Sequence, residues 1–187
     1  MRMGKRSALY ADLEALPENM VGEILAGVLY ASPRPAIRHA RTYSRLGVVL
    51  GGPFDVGPNG PGGWHILDEP ELHLDEDVLV PDLAGWRRER LPELPDDAAA
   101  MTLAPDWVCE VLSPHSTATR DRNIKMPIYA REGVAHVWLV DPDARTLEVF
   151  RLTGPHYTAL VTYAETVPVR AEPFEALEFP LGVLWGE

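Results

Sequence analysis

Three side chains in one stretch of this chain have the types and spacing to hydrolyse a phosphodiester. Asp82 follows Pro81 inside the apolar run VPDLAGW, residues 80–86. Glu110 lies in a second apolar run, DWVCEVLSP, residues 106–114, and Lys125 in the helix-forming stretch TRDRNIKMPIYAREGV that follows. Both runs are short, rich in Val, Leu and Trp, and bounded by turn residues, which is the pattern of buried strands. A carboxylate inside a buried strand loses its hydration, at high cost unless a cation or hydrogen-bond donors replace the water. Two such carboxylates on neighbouring strands repel each other, so a shared divalent metal is the economical explanation. A lysine brought to the same place completes a hydrolytic site.

Each residue also has a plainer reading. Asp82 could cap the turn after Pro81, and Glu110 could pair with Arg120 or Arg122. Asp121 stands four residues before Lys125, the favourable order for a solvated helix pair. Taken singly these readings are the stronger ones. The conjunction of two acids in apolar strands with a lysine on the crossover between strands favours the site.

PD at residues 81–82, EVLSP at 110–114, RDRNIKMPIYAREGV at 120–134 and VWLVDP at 137–142 resemble the Uma2 family, also called DUF820. GEILAGVLYASPRPAIRHARTYSRLGVVL, residues 22–50, fits that family's opening segment, so the resemblance runs over nearly the whole chain. The family is placed in the PD-(D/E)xK nuclease superfamily. The resemblance implies an α/β fold, a restriction-endonuclease-like mixed β-sheet core flanked by helices, in a single domain of residues 1–187. It further implies Asp82 and Glu110 at the ends of adjacent strands, binding Mg²⁺ or Mn²⁺ together with the Val111 carbonyl, and nucleic acid, DNA before RNA, as substrate. The chain departs from the superfamily pattern two residues after Glu110, where Leu112 replaces lysine; Lys125 on the following helix is the candidate to supply that charge. In the family an acid at Glu23 lies near the site, although a surface hairpin acid is the simpler reading. His is common at His39, where support of the metal ligands competes with a core histidine bonded to backbone.

Composition frames these expectations. A chain of 187 residues is one domain by size, and its 46% hydrophobic and 24% charged residues are ordinary for a globular protein. No apolar run approaches bilayer length, and residues 1–18 have no sustained apolar core, so neither a membrane span nor a signal peptide is expected. The single cysteine, Cys109, fits a reducing cytoplasm and a buried, inert thiol. Net charge −11, from 17 Lys+Arg against 28 Asp+Glu, opposes nucleic-acid binding in bulk, so the distribution of charge has to decide. A catalytically silent nuclease fold that only binds nucleic acid or protein is the competing reading.

The elements that must position these residues follow from pattern. Residues 7–16 read as a short helix with Ser7 as cap, and residues 21–30 as a hairpin turning at Ala26-Gly27. Residues 36–50 form the clearest helix. At about 100° per residue, Ala36, Ala40, Tyr43, Gly47 and Leu50 share one face. Arg34, Arg38, Arg41 and Arg45 fall opposite, four arginines with no acid among them, a candidate phosphate-contacting stripe. The Gly/Pro-rich residues 51–63 read as irregular. Residues 64–68 and 71–74 are short strands before the Asp82 strand. Ser113-Pro114 ends the Glu110 strand, and Gly133 closes a helix in which Pro127 marks a kink or a late start. Residues 135–140, 146–152 and 157–163 are further strands. The apolar tail, residues 174–185, suggests a homodimer.

Overall fold

The computed structural model describes residues 8–57, 60–113 and 118–187. Ser7, Pro58, Asn59 and Pro114, each part of an expectation above, lie outside them. The chain begins with α1 (Tyr10–Glu14), then β1 (Met20–Leu25) and β2 (Val28–Pro33), which pair antiparallel with Leu25 opposite Val28. Ala26 (φ 50°) and Gly27 (φ 74°) both turn left-handed, the geometry that a two-residue hairpin needs. Next come α2 (Ile37–Gly51), β3 (Trp64–Asp68), β4 (Leu72–Leu74), β5 (Asp77–Leu79), β6 (Leu83–Arg87) and β7 (Trp107–Val111). A crossover carries α3 (Ala118–Arg120) and α4 (Met126–Arg131), and the chain continues through β8 (His136–Asp141), β9 (Thr146–Thr153) and β10 (His156–Ala164). β11 (Pro168–Val169) and β12 (Phe179–Pro180) form a small ribbon.

The main sheet has the order β10-β9-β8-β7-β6-β3, and a smaller one the order β2-β1-β5-β4. Within the main sheet only β7 and β8 run parallel, joined by the α3–α4 crossover that parallel neighbours require. Side chains alternate across it. On β7, Trp107, Cys109 and Val111 enter one core with Leu46 and Leu50 of α2, while Val108 enters the other with Ile128 and Tyr129 of α4. Gly85 of β6 lies between two indoles: a Cβ there would meet Trp107 and Trp64 at 3.2 Å. Glycine is what lets the two tryptophans close over the strand.

Four expectations change. α2 buries His39, Thr42, Leu46 and Leu50, a line rotated from the one read off the sequence, because Thr42 faces the core while Ala36 is exposed. The helix also runs on into a π turn, Gly52–Val56, where an irregular loop was expected; Asp55 holds that turn by accepting from Ile66 N–H and Arg88. Asp82 stands one residue before β6 rather than inside a strand. The apolar tail is spent internally rather than left open, with Phe174, Leu181 and Leu184 buried. Among the described residues, no helix is long and apolar enough to cross a membrane.

Candidate active site

β6 and β7 run antiparallel with Leu83 opposite Cys109, so Asp82, at the start of one strand, comes beside Glu110, near the end of the other. Alternation along β7 turns Glu110 to the side of Val108, toward α4. A π turn, Asp121–Lys125, precedes α4, and Lys125 and Tyr129 stand four residues apart across that junction, the spacing of side chains on one helical face. Both reach the same oxygen: Lys125 Nζ lies 2.7 Å and Tyr129 OH 2.6 Å from Glu110 Oε1. Pro127 falls in the first turn of α4, directly after the π turn.

Glu23 arrives from the smaller sheet. Its β1 partner β5 leads into Val80, whose N–H donates to Glu23 Oε1 at 3.0 Å; Lys125 Nζ lies 2.8 Å from the same atom. Lys125 also reaches the Val80 carbonyl at 3.3 Å. Glu23 is therefore a buried acid of the site, not a surface hairpin acid. Arg120 stands 3.5 Å from Glu23 Oε2 and donates to Ser32 Oγ. The pairing of Glu110 with Arg120 or Arg122 read from the sequence gives way to Lys125: Arg122 pairs with Glu148, and Lys125 bridges Glu23 and Glu110.

Asp82 accepts from Val111 N–H through Oδ2 at 2.6 Å, and His39 Nε2 stands 3.4 Å from that oxygen. His39 points inward as expected, with Nδ1 buried and unpartnered. Burial lowers its pKa, Lys125 acting the same way and the Val111 backbone opposing. Burial also raises Asp82 well above the usual carboxylate range, with Glu110 adding to it. Glu110 is pushed up to about 7 by burial, against Lys125 and with Asp121 and Glu23. Burial opposes the charge on Lys125, yet Glu110, Glu23 and Asp121 outweigh it and hold the ammonium above its ordinary value.

Four buried carboxylates, Glu23, Asp82, Glu110 and Asp121, thus face two cations, Lys125 and Arg120. They line one cleft of about 510 Å³ that also includes Arg34, Arg38 and Val111. Among the described residues no three His, Cys, Asp or Glu form a ready metal cage. An excess of hard oxygen donors and negative charge nevertheless fits Mg²⁺ or Mn²⁺, which bind through one or two carboxylates plus water and phosphate. The hydrogen bonds engage Asp82 Oδ2 and Glu110 Oε1, leaving the other oxygen of each outside them.

The arginine stripe divides. Arg34 precedes α2 and lines the cleft, as does Arg38, which pairs with Asp143. Arg41 and Arg45 donate to the carbonyls of Trp185 and Val183, so these two tie down the C-terminal segment. Tyr129 went unread as a site residue, although its spacing from Lys125 was the available signal. Asp121 had been read only as a helix partner.

An antiparallel pair presenting two acids, followed by a parallel crossover that returns a lysine, defines a restriction-endonuclease-like nuclease fold. Residues 9–182 match the family Uma2, described as "Putative restriction endonuclease", and the chain belongs to that family. A crystal structure described as "a putative nuclease belonging to DUF820 from Anabaena variabilis" superposes with a TM-score of 0.69 at 23% identity, covering 93% of this chain and 94% of that one. No curated protein matches the chain.

Proposed function

We propose that this protein is a metal-dependent endonuclease that hydrolyses phosphodiester bonds of nucleic acid, with DNA the favoured substrate. The observation that carries this is a cleft lined by six carboxylates, Glu23, Glu69, Asp82, Glu110, Asp121 and Asp143, against the four cations Arg34, Arg38, Arg120 and Lys125, at the place where Asp82, Glu110 and Lys125 meet. Asp82 and Glu110, with the Val111 carbonyl, would hold Mg²⁺ or Mn²⁺. When bound, the ion lowers the pKa of a coordinated water and screens phosphate charge. Val111 N–H and His39 fix the Asp82 carboxylate, while Tyr129 and Lys125 fix that of Glu110. Lys125 Nζ is the cation placed to stabilise negative charge developing on the phosphoryl oxygens, and Glu23 and the Val80 carbonyl hold it there. Arg34 and Arg38 at the cleft wall would meet flanking phosphates.

The test is cleavage of plasmid and oligonucleotide DNA and of RNA, with Mg²⁺ or Mn²⁺ and with chelator. Metal-dependent cleavage by the wild type, lost in Asp82→Asn with the fold retained, supports the reading. A folded wild type that binds neither ion and cuts nothing refutes it. A nuclease fold that binds without cutting is the second reading. One feature favours it: both hydrogen-bonding acids of the lysine, Glu23 and Glu110, already neutralise Lys125. Oligonucleotide binding in chelator without cleavage in either metal would support it.

A further inference from the structure

Beside the cleft lies a second cavity of about 420 Å³ that shares Arg38 and Pro142 with it. The two have opposite character. Acids outnumber cations along the cleft, whereas the second cavity is lined by Arg38, Arg41 and Arg145 with Glu187 as the acid in its wall, Asp143 and Glu165 meeting Arg38 and Arg145 from outside it. In a chain of net charge −11 such a concentration of guanidinium groups is not what composition supplies by default.

Arg145 closes the turn between β8 and β9 at φ 56°. Its Nε is buried without a hydrogen bond; Glu165 Oε2 lies 3.2 Å away but lacks the geometry of one. Its Nη2 meets the Glu187 carboxylate. Among the described residues Arg41 bonds a backbone carbonyl, that of Trp185, and no acid. Ile37, Thr42, Leu184 and Trp185 complete the wall. Planar guanidinium forks suit phosphate oxygens, and the carboxylate of Glu187 sits where such an oxygen would.

We propose that this arginine-lined cavity is a subsite for a backbone phosphate of the nucleic-acid strand, adjacent to the phosphate held at the carboxylates, with Glu187 as an internal anion that the strand displaces. The inference rests on the nuclease reading and names how the strand leaves the site. A strand held by the arginines at one phosphate and by a metal-filled acidic cleft at another is held at two points, which fixes the register of the scissile bond.

The experiment is binding of a labelled single-stranded oligonucleotide of about 12 nucleotides, within the range of single-strand site sizes. It uses the full chain in chelator, so that cleavage plays no part, and a salt series. DNA and RNA arms identify the sugar. Arg41→Gln and Arg145→Gln should each lower the log–log salt slope by about 0.7, as a lost phosphate contact does on single strands. Each should weaken binding about tenfold, the scale of one charged hydrogen bond. Arg151→Gln, at the far end of β9, should do neither. Glu187→Gln should tighten binding. Arginine variants that keep the wild-type slope overturn the subsite while leaving the nuclease reading intact. If those variants fold poorly, Glu187→Gln decides, and unchanged binding overturns the subsite. A wild type that binds no oligonucleotide at low salt overturns the subsite, while the nuclease reading stands or falls by metal-dependent cleavage.

Discussion

Lys125→Met replaces the ammonium with an apolar side chain of similar length and tests whether the lysine holds the fold together at the site. Read from sequence, Lys125 could be a solvated partner of Asp121, a pair whose loss costs only a few tenths of a kcal/mol. In the structure its side chain is 3% exposed and bridges Glu23 at 2.8 Å and Glu110 at 2.7 Å. Removing one partner of a buried ion pair costs about 3–5 kcal/mol, because the remaining charge stays desolvated. For a chain of this size that is a fall in Tm of about 6–20 °C, at roughly 2–4 °C per kcal/mol. The cost depends on pH. Glu110 titrates at about 7 when folded against an ordinary 4.5, so its protonated form favours the folded state. That contribution is full below about 4.5 and is lost as the pH rises through 7. Without Lys125, which lowers the Glu110 pKa, the carboxyl holds its proton still more tightly. Thermal unfolding in chelator should therefore show a large deficit at pH 8 and a much smaller one at pH 5. Adding Glu23→Gln to the variant should recover part of the loss at pH 8. An unchanged Tm at pH 8, or the same deficit at both pH values, would refute the buried bridge.

Three further outcomes follow from the same geometry. Asp82→Asn should abolish Mg²⁺ and Mn²⁺ binding by calorimetry and, in chelator, raise Tm by relieving repulsion from Glu110; wild-type metal affinity would remove Asp82 from the site. In the wild type, saturating Mg²⁺ should raise Tm more at pH 8 than at pH 5, because metal competes with the protons that Asp82 and Glu110 retain at lower pH; a pH-independent shift would point to binding elsewhere. Tyr129→Phe removes the donor 2.6 Å from Glu110 Oε1 and should weaken Mn²⁺ affinity on the order of 10–100-fold, as loss of a bond orienting a ligand does; unchanged affinity would reduce the phenol to packing.

Much of the fold was legible because its signals are local. The Ala26-Gly27 turn, the Gly133 stop (φ 76°) and the apolar runs of β7 and β8 each state their own structure. Asp82 and Glu110 were legible for the same reason, as charges where the pattern demands apolar residues. What was not legible depends on pairing between distant segments. Glu23 lies in an ordinary hairpin strand, and nothing nearby in sequence reports that β1 pairs with β5 and so delivers it to Val80. Arg41 and Arg45 look like a solvated stripe until the C-terminal segment, some 140 residues on, is seen to offer them carbonyls. The π turn at residues 52–56 is held by Asp55 reaching β3, again a contact that local composition does not encode.

The departure from the nuclease pattern can be understood on the same terms. A lysine two residues after Glu110 would point to the same side of β7 as Glu110 itself, since side chains repeat every second residue. That position is Leu112, 3% exposed and packed in the core beneath α4 with Val108, Ile128 and Tyr129. A lysine there would have to bury its stem in that core and send its charge back past it. The crossover offers the shorter path. Five residues wound as a π turn before α4 bring Lys125 to Glu110 Oε1 from above, and Tyr129 follows one turn later onto the same atom. Leucine on the strand and lysine on the helix are thus one arrangement: the strand position serves packing, and the helix supplies the charge. Exchanging the two, with Leu112→Lys and Lys125→Leu in one protein, should return the ammonium to Glu110 from the strand at the cost of overpacking around Val108. A double exchange that binds Mn²⁺ while Lys125→Leu alone unfolds earlier would support that equivalence, and one no more stable than the single variant would refute it.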